Sequence, residues 1–324
     1  MRVRVNLLTF LIPILVCICA VPAATSIAAD SPAPPFILHE VASGVWAAID
    51  NRAAKGGGSG ANAGFVIGAD GVLVVDTFQH PAAAQGLLND IRQKTKLPIR
   101  FVVNTHYHID HVAGNNIFAG AGATILAQQN VRAWERTENL KFFGPKITLA
   151  QKEMVESLGL PNVTYKDGVE LYLGSRRAIV VSLPGHTGGD SVVFIPDANV
   201  VFTGDLFWNH TLPNLIDAST KPWIASLGTI LQRHADATFV PGHGEVGKAS
   251  DVRDFRNYLQ DLRADIAQTQ AAGKSDDSLT AVVLPELQQK YGSWNFFAYF
   301  AKPDIHYTDL ELRGKKHIPQ PLAQ

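Results

Sequence analysis

Thr105-His106-Tyr107-His108-Ile109-Asp110-His111 is the stretch that decides the fold of this chain, and it comes just after the apolar run Ile99–Val103. A short β-branched run of this kind predicts a buried strand, so the four polar side chains stand on a strand-to-loop junction. Imidazole nitrogens together with a carboxylate oxygen form a donor set that suits zinc. The run therefore indicates a metal site that can face more than one ion.

Three further apolar runs also end in a residue able to bind metal. They are Ala178–His186, which ends in Pro-Gly-His, Val200–Asp205, which ends in Thr-Gly-Asp, and Ala237–His243, which ends in Pro-Gly-His. Taken alone, each ending is ordinary turn chemistry. Four such endings in one chain predict loops that meet on one edge of a sheet and assemble a single site there.

In this order the motifs His-x-His-x-Asp-His, Gly-His, Gly-Asp and Gly-His-Gly closely resemble those of the metallo-β-lactamase superfamily, from about Val45 to about Gly247. The resemblance implies an α/β (α+β) fold, an αββα sandwich with a two-zinc centre in a groove along one edge. It implies that His106, His108 and His186 hold the first zinc and that Asp110, His111 and His243 hold the second. Asp205 would bridge the two ions.

Two zinc ions a few ångströms apart lower the pKa of a shared water to roughly 7, and one of them can polarise a carbonyl or phosphoryl oxygen. Hydrolysis by a metal-bound hydroxide follows from this chemistry. Asp110 is the candidate catalytic residue, because a carboxylate on the metal rim can orient the attacking water or pass its proton to the leaving group. A purely ligating role for Asp110 is the alternative.

Two positions depart from one group of β-lactamases in the superfamily. Those enzymes carry a Cys where this chain has Asp205, and a Lys that binds the drug's carboxylate where this chain has Trp208. The carboxylate makes the centre more similar to those of glyoxalase II and the lactonases. Trp208, Asn209 and His210 directly follow a ligand, so they are candidates for substrate contact, although large aromatic residues such as Trp208 are as often core residues.

The first 29 residues predict an exported protein. A positively charged start precedes the apolar run Leu7–Val21, and small residues lead to a cleavage site after about Ala28 or Ala29. The run is shorter than the ~20 residues of a membrane-spanning helix, so no stable membrane insertion is expected after cleavage. Cys17 and Cys19 are the two cysteines of the chain and both lie in this leader, which excludes thiolate ligands from the mature protein.

The remaining length suits one sandwich domain with an extension. We expect a signal peptide at 1–29, a linker at 30–40, the metallo-β-lactamase-fold domain at 41–250 and a C-terminal helical extension at 251–324 packed on it. The formal net charge is −1 and the basic residues form no stripe, so nucleic acid is not an expected partner. A small-molecule substrate is expected, and the oligomeric state stays open.

The sequence thus predicts a periplasmic or secreted zinc-dependent hydrolase that cleaves an acyl bond in a β-lactam, lactone, thioester or ester, with antibiotic degradation among the possibilities. Two alternatives remain. One is an oxidoreductase similar to persulfide dioxygenases, which bind a single iron at positions matching His106, His186 and Asp205. The other is a non-catalytic exported protein that binds a metal or a substrate.

Two segments have no single interpretation. The Gly-rich loop Gly56–Gly60 is either a flap over the groove or a connector. The aromatic segment Tyr291–Phe300 can line the groove, form a dimer contact or cover the sandwich, and covering is the expectation we favour. The substrate, its leaving-group atom and the choice between zinc and iron are not determined by these patterns.

Overall fold

Two β-sheets lie at the centre of the protein, in a computed structural model that describes residues 36–50 and 60–320. The strands are β1 (Phe36–Ala42), β2 (Val45–Asp50), β3 (Ala63–Ile67), β4 (Val72–Val75), β5 (Ile99–Val103), β6 (Thr124–Gln128), β7 (Val163–Tyr165), β8 (Gly168–Leu173), β9 (Arg176–Ser182), β10 (Ser191–Ile195), β11 (Val200–Trp208) and β12 (Thr238–His243). The first sheet follows the order β1 to β7, and the second runs β12-β11-β10-β9-β8.

The helices cover the outer faces of the sheets. They are α1 (Pro81–Lys94), α2 (Ile109–Val112), α3 (Asn115–Gly120), α4 (Gln129–Trp134), α5 (Thr137–Phe142), α6 (Leu149–Glu156), α7 (Thr220–Arg233), α8 (Ala249–Ala271), α9 (Asp276–Tyr291) and α10 (Phe297–Leu312). None of the described helices is both long and apolar enough to cross a membrane.

Three apolar layers hold the architecture together. Between the sheets, Val45, Leu73 and Val103 of the first sheet share one cluster with buried residues of the second sheet, among them Phe202. Outside the first sheet, α1 and α3 contribute a second cluster, and outside the second sheet α7, α8, α9 and α10 contribute a third. The predicted αββα sandwich with a C-terminal helical region is therefore confirmed.

Parallel strand pairs explain why the motifs meet. In the first sheet β5 runs parallel to both β4 and β6, and in the second sheet β11 runs parallel to β12. Parallel neighbours end at the same edge of a sheet, so their following loops lie side by side. The segment after β5, the end of β11 and the end of β12 therefore bring their polar side chains to one edge of the sandwich.

The N-terminal boundary of the sandwich differs from the expected one. Residues 36–40, expected to be part of a linker, form most of β1 and pair with β2, and Gly44 makes the intervening turn with a φ of 69°. Residues 36–50 therefore form a hairpin. A strand that gains a full row of backbone hydrogen bonds is ordered even when its sequence is mixed in polarity.

The expected boundary at residue 250 falls inside the first turn of α8, which packs with α7, α9 and α10 on the second sheet. The C-terminal helices are thus part of the same core. The Gly-rich loop lies outside the described residues except for Gly60.

Glu135 lies directly after α4, and its carboxyl group is buried in the protein. Its residue is 0% exposed, and among the described residues neither carboxyl oxygen has a hydrogen-bond partner. Burial raises its pKa to about 8, and the nearby charges of Arg136 and Arg132 offset this only in part. The side chain therefore keeps its proton in the folded protein at neutral pH.

We expect Glu135→Gln to stabilise the protein at pH 8.5 by roughly 2–4 kcal/mol and to change little near pH 4. Between about pH 4.5 and 8 the unfolded chain releases the proton that the folded protein retains, so the free energy of unfolding of the native sequence falls as pH rises. Gln has no proton to release. Urea unfolding of both proteins across this range measures the difference.

Glu153→Gln, at an exposed position of α6, is the matched control and should follow the native sequence at every pH. A Glu135→Gln protein whose stability runs parallel to the native curve from pH 4 to 8.5 would contradict the assigned pKa.

Candidate metal centre

Seven side chains from the four motifs form two adjoining groups at the edge of the sandwich. The first group contains His106, His108, His186 and Asp205, and the second contains Asp110, His111 and His243. Within each group one potential ligand atom per residue lies within 4.8 Å of the others. The structure thus brings together the seven residues proposed from the sequence, in the same two groups.

Asp205 lies between the groups, with one carboxylate oxygen toward each. Its Oδ2 is 3.2 Å from Nε2 of His186 and 3.6 Å from Nε2 of His106. Its Oδ1 is 3.0 Å from Nε2 of His111 and 3.4 Å from Nε2 of His243. A carboxylate placed in this way can serve as a ligand to two ions at once.

The separations and the missing hydrogen bonds fit metal ions. Two ligand atoms, each about 2.1 Å from one tetrahedral zinc, lie roughly 3.4 Å apart, which is close to the distances around Asp205. The buried Nε2 atoms of His106, His111 and His243 make no hydrogen bond in the described structure although a carboxylate oxygen is near. Buried polar atoms normally have partners, so a cation is the missing partner that this donor set favours.

Two small residues allow the close approach. A side-chain carbon on Gly242 would collide with Oδ1 of Asp205, and one on Gly204 would collide with Thr105 just before the first motif. Gly204 also has a φ of 50°, a left-handed conformation that suits glycine. The Gly-Asp and Gly-His pairs of the sequence therefore reflect packing around the ligands.

Electrostatics keep Asp205 and His186 in the forms that bind metal. Burial alone would raise the pKa of Asp205, but His111, His243 and the other imidazoles hold it well below its usual range, so Asp205 is an anion. Burial lowers the pKa of His186 to about 4, which leaves this imidazole neutral at pH 7. An anionic carboxylate beside a neutral imidazole is ready to bind a cation.

His243 behaves differently from His186. Burial alone would lower its pKa, but Asp205 and Asp110 raise it to about 9. The proton that His243 holds in the absence of metal offsets part of the negative charge of these two carboxylates, and a bound cation would take over that role.

Two further carboxylates orient the imidazoles, and neither was predicted from the sequence motifs. Oδ2 of Asp76 is 2.8 Å from Nδ1 of His111, and Oδ2 of Asp217 is 3.2 Å from Nε2 of His108. Tyr107 also donates a 2.6 Å hydrogen bond to Asp217. Such partners select the tautomer of a metal-binding histidine and raise its basicity.

The sequence contains a pattern that could have identified Asp76, because this residue directly follows β4 as the candidate ligands follow their strands. No such pattern marks Asp217, which lies in an irregular segment nine residues after the end of β11. Its contact with His108 arises only because that segment folds back over the histidine.

Asp217→Asn is expected to weaken metal binding by about 10- to 100-fold, because the amide keeps the size of the carboxylate but loses the charge that supports His108. Competition with a chromophoric zinc chelator measures the change. Asp197→Asn, which alters an exposed ion pair with Arg176, is the matched control and should bind zinc like the native protein. Equal affinities for all three proteins would show that Asp217 has no influence on the site.

The three candidates for substrate contact have different positions. Trp208 is 3% exposed, stacks on the ring of His243 with 3.8 Å between centroids, and lines a cavity beside the two groups. Asn209 is buried, and its Nδ2 donates to the carbonyl of Glu245. His210 is exposed, has a φ of 44° and packs against Trp294.

Asn209 and His210 do not line this cavity, so substrate contact by them stays a prediction. β11 ends at Trp208, and the side chains of the next two residues contact Glu245 and Trp294. The cavity, of about 50 Å³, is bordered by His108, Asp110, His186 and Asp205.

Residues of the aromatic segment Tyr291–Phe300 make two kinds of contact, with the helical cluster and with the cavity. Tyr291 and Phe297 belong to the cluster outside the second sheet, and Trp294 packs against it, as expected for a covering segment. Phe300 instead lies beside Trp208, with 6.2 Å between the ring centroids, and lines the cavity.

Comparison with known proteins agrees with this architecture. The profile of the metallo-beta-lactamase superfamily matches residues 56–243. The hydroxyacylglutathione hydrolase of Brucella anthropi is 28% identical over 181 residues, which are 54% of this chain and 60% of that protein. That of Brucella ovis is 31% identical over 144 residues, 44% of this chain and 47% of that protein. The match thus spans about half the length of these relatives.

Solved structures show the same fold. A metallo-beta-lactamase from Pontibacter korlensis superposes with a TM-score of 0.57 at 22% identity, covering 69% of this chain and 99% of that one. The enzyme TMB-1 gives 0.56 at 22% identity, covering 70% and 98%. The superfamily profile covers more than half of the chain and includes all seven residues of the two groups, and on this basis the chain belongs to the metallo-beta-lactamase superfamily.

Proposed function

We propose that this protein is a metal-dependent hydrolase with two zinc ions, which opens an acyl bond in a small molecule. The observation that carries the proposal is the position of Asp205, whose two oxygens face two separate groups of imidazoles. One zinc would be held by His106, His108 and His186, the other by Asp110, His111 and His243, with Asp205 shared. Two zinc ions bound in this way activate water at neutral pH and polarise a carbonyl group.

Asp110 is the protein group proposed to handle the proton. It is only partly buried and lines the cavity, whereas His106 and His111 have no exposed surface. Its Oδ2 is 3.4 Å from Nε2 of His243, and the histidines around it keep its pKa below the usual value in spite of burial, so it is a base at neutral pH. A carboxylate at the boundary between ligands and cavity can accept a proton from water and return it to a leaving group.

The relatives named above support hydrolysis of an acyl bond, since they are hydroxyacylglutathione hydrolases. The metallo-beta-lactamase from Pontibacter korlensis is too distant in sequence to support more than the fold. We therefore propose a lactone, ester or thioester before a β-lactam as the substrate, and a periplasmic or secreted location because of the leader-like N-terminal sequence.

The single-iron alternative is less well supported by the geometry. An enzyme that needs one ion at His106, His186 and Asp205 has no need for a second complete set of ligands, yet Asp110, His111 and His243 lie together beside it. The non-catalytic alternative predicts bound metal without turnover, and the cavity next to the two groups favours a reaction.

The test is the initial rate of the zinc-loaded protein, begun at Asp30, on a lactone, a glutathione thioester and a chromogenic β-lactam. We expect zinc-dependent turnover of at least one of them, lost in His111→Ala because this residue belongs to the second group. His39→Ala, a change in the exposed part of β1, is the matched control and should retain the native rate.

Turnover that survives His111→Ala, or that requires iron and not zinc, would reject the two-zinc hydrolase. Stoichiometric zinc binding without hydrolysis of any of the three substrates would favour the non-catalytic alternative.

A further inference from the structure

One side of the cavity beside the metal groups is apolar. Ile109 borders it from α2, Trp208 from the end of β11, and Phe300 from the first turn of α10. The rings of Trp208 and Phe300 meet edge to face, and Trp208 is held in place by its stack on His243. These three side chains offer an apolar surface directly next to the proposed reacting centre.

The other side carries uncharged amide groups. Gln79 follows β4, and Asn214 follows β11, so the two reach the cavity from different sheets. Oδ1 of Asn214 accepts a hydrogen bond from the backbone of Ile216, whereas its Nδ2 and the side chain of Gln79 make no hydrogen bond within the described structure. Free amide N–H groups can donate to a carbonyl, ether or hydroxyl oxygen of a ligand.

Among the described residues that line the cavity none is Lys or Arg. Lys316 contacts the 215–218 segment, where its ammonium group donates to the carbonyls of Leu215 and Ala218. Against the described lining, a charged group on the substrate, away from the reacting bond, would therefore lose water without gaining a cationic side chain as partner. Burial of an unpaired charge is costly, whereas an apolar group gains from the same contact.

The size of the cavity limits what enters it. A volume of about 50 Å³ holds only a few water-sized groups. The acyl carbonyl and its nearest atoms fit there, and the rest of a substrate would extend past Phe300, which is only half-buried. The part next to Phe300 therefore determines which substrates bind well.

We infer that the site selects an uncharged acyl substrate with an aromatic or aliphatic group, held between Ile109, Trp208 and Phe300, over the same substrate bearing a carboxylate. This inference rests on the proposed hydrolase function. It names the substrate class of that site and assigns Phe300 as a residue that determines specificity.

The experiment compares matched pairs of substrates with one leaving group in each pair. The zinc-loaded protein is given a phenylacetyl and a 4-carboxyphenylacetyl thioester, the corresponding two esters, and a neutral and a carboxylate-bearing aryl lactone. We expect the neutral member of each hydrolysed pair to have a kcat/KM about 30-fold higher or more, because the carboxylate would be buried without a partner whereas the neutral group would not. Equal values, or preference for the carboxylate, would overturn the inference and leave the hydrolase function standing. No turnover of any pair would overturn the inference, and if the chromogenic β-lactam were not hydrolysed either, the hydrolase function would be rejected as well.

Phe300→Lys tests the assigned position. The side chain is half-buried on a helix, so a lysine there can keep its stem on the apolar surface and place its ammonium group beside the substrate. The preference for the neutral substrate should fall by about tenfold or more. Tyr299→Lys introduces the same charge one residue earlier, at a position that is 71% exposed and does not line the cavity, and should leave the preference unchanged.

Thermal unfolding of both variants shows whether they are folded. Two folded variants with the same substrate preference as the native protein would show that Phe300 does not border the bound substrate, and the inference would then be wrong.

Discussion

Asp205→Asn is expected to lower kcat/KM by about three orders of magnitude and to reduce the metal content of the protein. Asn has nearly the size of Asp, so the packing against Gly242 is kept, but its amide nitrogen cannot bind a cation and the negative charge between the groups is lost. Charge stabilisation by a bound metal contributes several kcal/mol to a hydrolytic transition state, and each 1.4 kcal/mol corresponds to a factor of ten in rate.

The number of zinc ions per chain is measured by inductively coupled plasma mass spectrometry after dialysis. It should fall from about two to about one or less in this variant, because a ligand shared by both ions is lost. Asp236→Asn, at an exposed position before β12, is the matched control and should retain both the rate and the metal. A fully active Asp205→Asn protein with unchanged zinc content would show that this carboxylate does not bridge two ions.

Removal of the metal is expected to lower the Tm of the protein by about 10 °C. Asp110 and Asp205 of the two groups, together with Asp76 beside them, surround imidazoles with unpaired buried nitrogens, and a cation offsets the repulsion and desolvation of these carboxylates. A ligand at a thousand times its Kd stabilises the folded state by roughly 4 kcal/mol. For a domain of this size, 1 kcal/mol corresponds to about 2–4 °C in Tm.

Scanning calorimetry of the protein after chelator treatment, followed by addition of zinc, measures this difference. Zinc should restore the original Tm, whereas magnesium should not, because it prefers six oxygen ligands in octahedral geometry and this site offers mainly nitrogen. A Tm that is identical with and without zinc would mean that the two groups do not bind the ion in the folded protein.

The candidate metal residues were predictable because the relevant information is local in the sequence. Each of them follows a short run of β-branched residues and comes with a glycine or a second candidate, as in Pro184-Gly185-His186 or Gly204-Asp205. Apolar runs that stop at Gly or Pro predict where strands end, and strand ends are where loops can converge. The sandwich and the division of the candidates into two groups were implied by the resemblance that the motifs and their order carry.

The residues around the ligands were not predictable in this way. Asp217 supports His108 from a position 109 residues away, and Phe300 reaches the cavity from a helix about ninety residues after Trp208. Asp217 has no distinctive neighbour in the sequence, and Phe300 belongs to the aromatic segment Tyr291–Phe300, for which lining the groove was one of three expectations. Substrate contact by Asn209 and His210 was predicted from adjacency to Asp205, and adjacency does not determine the direction of a side chain once a strand has ended.

By itself the sequence indicated which residues form the two groups of potential metal ligands and on which strand ends they stand, because its motifs and short apolar runs carry that information. The tertiary structure alone decided which carboxylates contact the histidines, that residues 36–40 of the expected linker belong to β1, and that Trp208 and Phe300 lie together beside the metal groups. The physical reason is that hydrogen bonds and apolar contacts depend on distances between atoms, and residues far apart in the chain come within contact only when the sheets and helices pack.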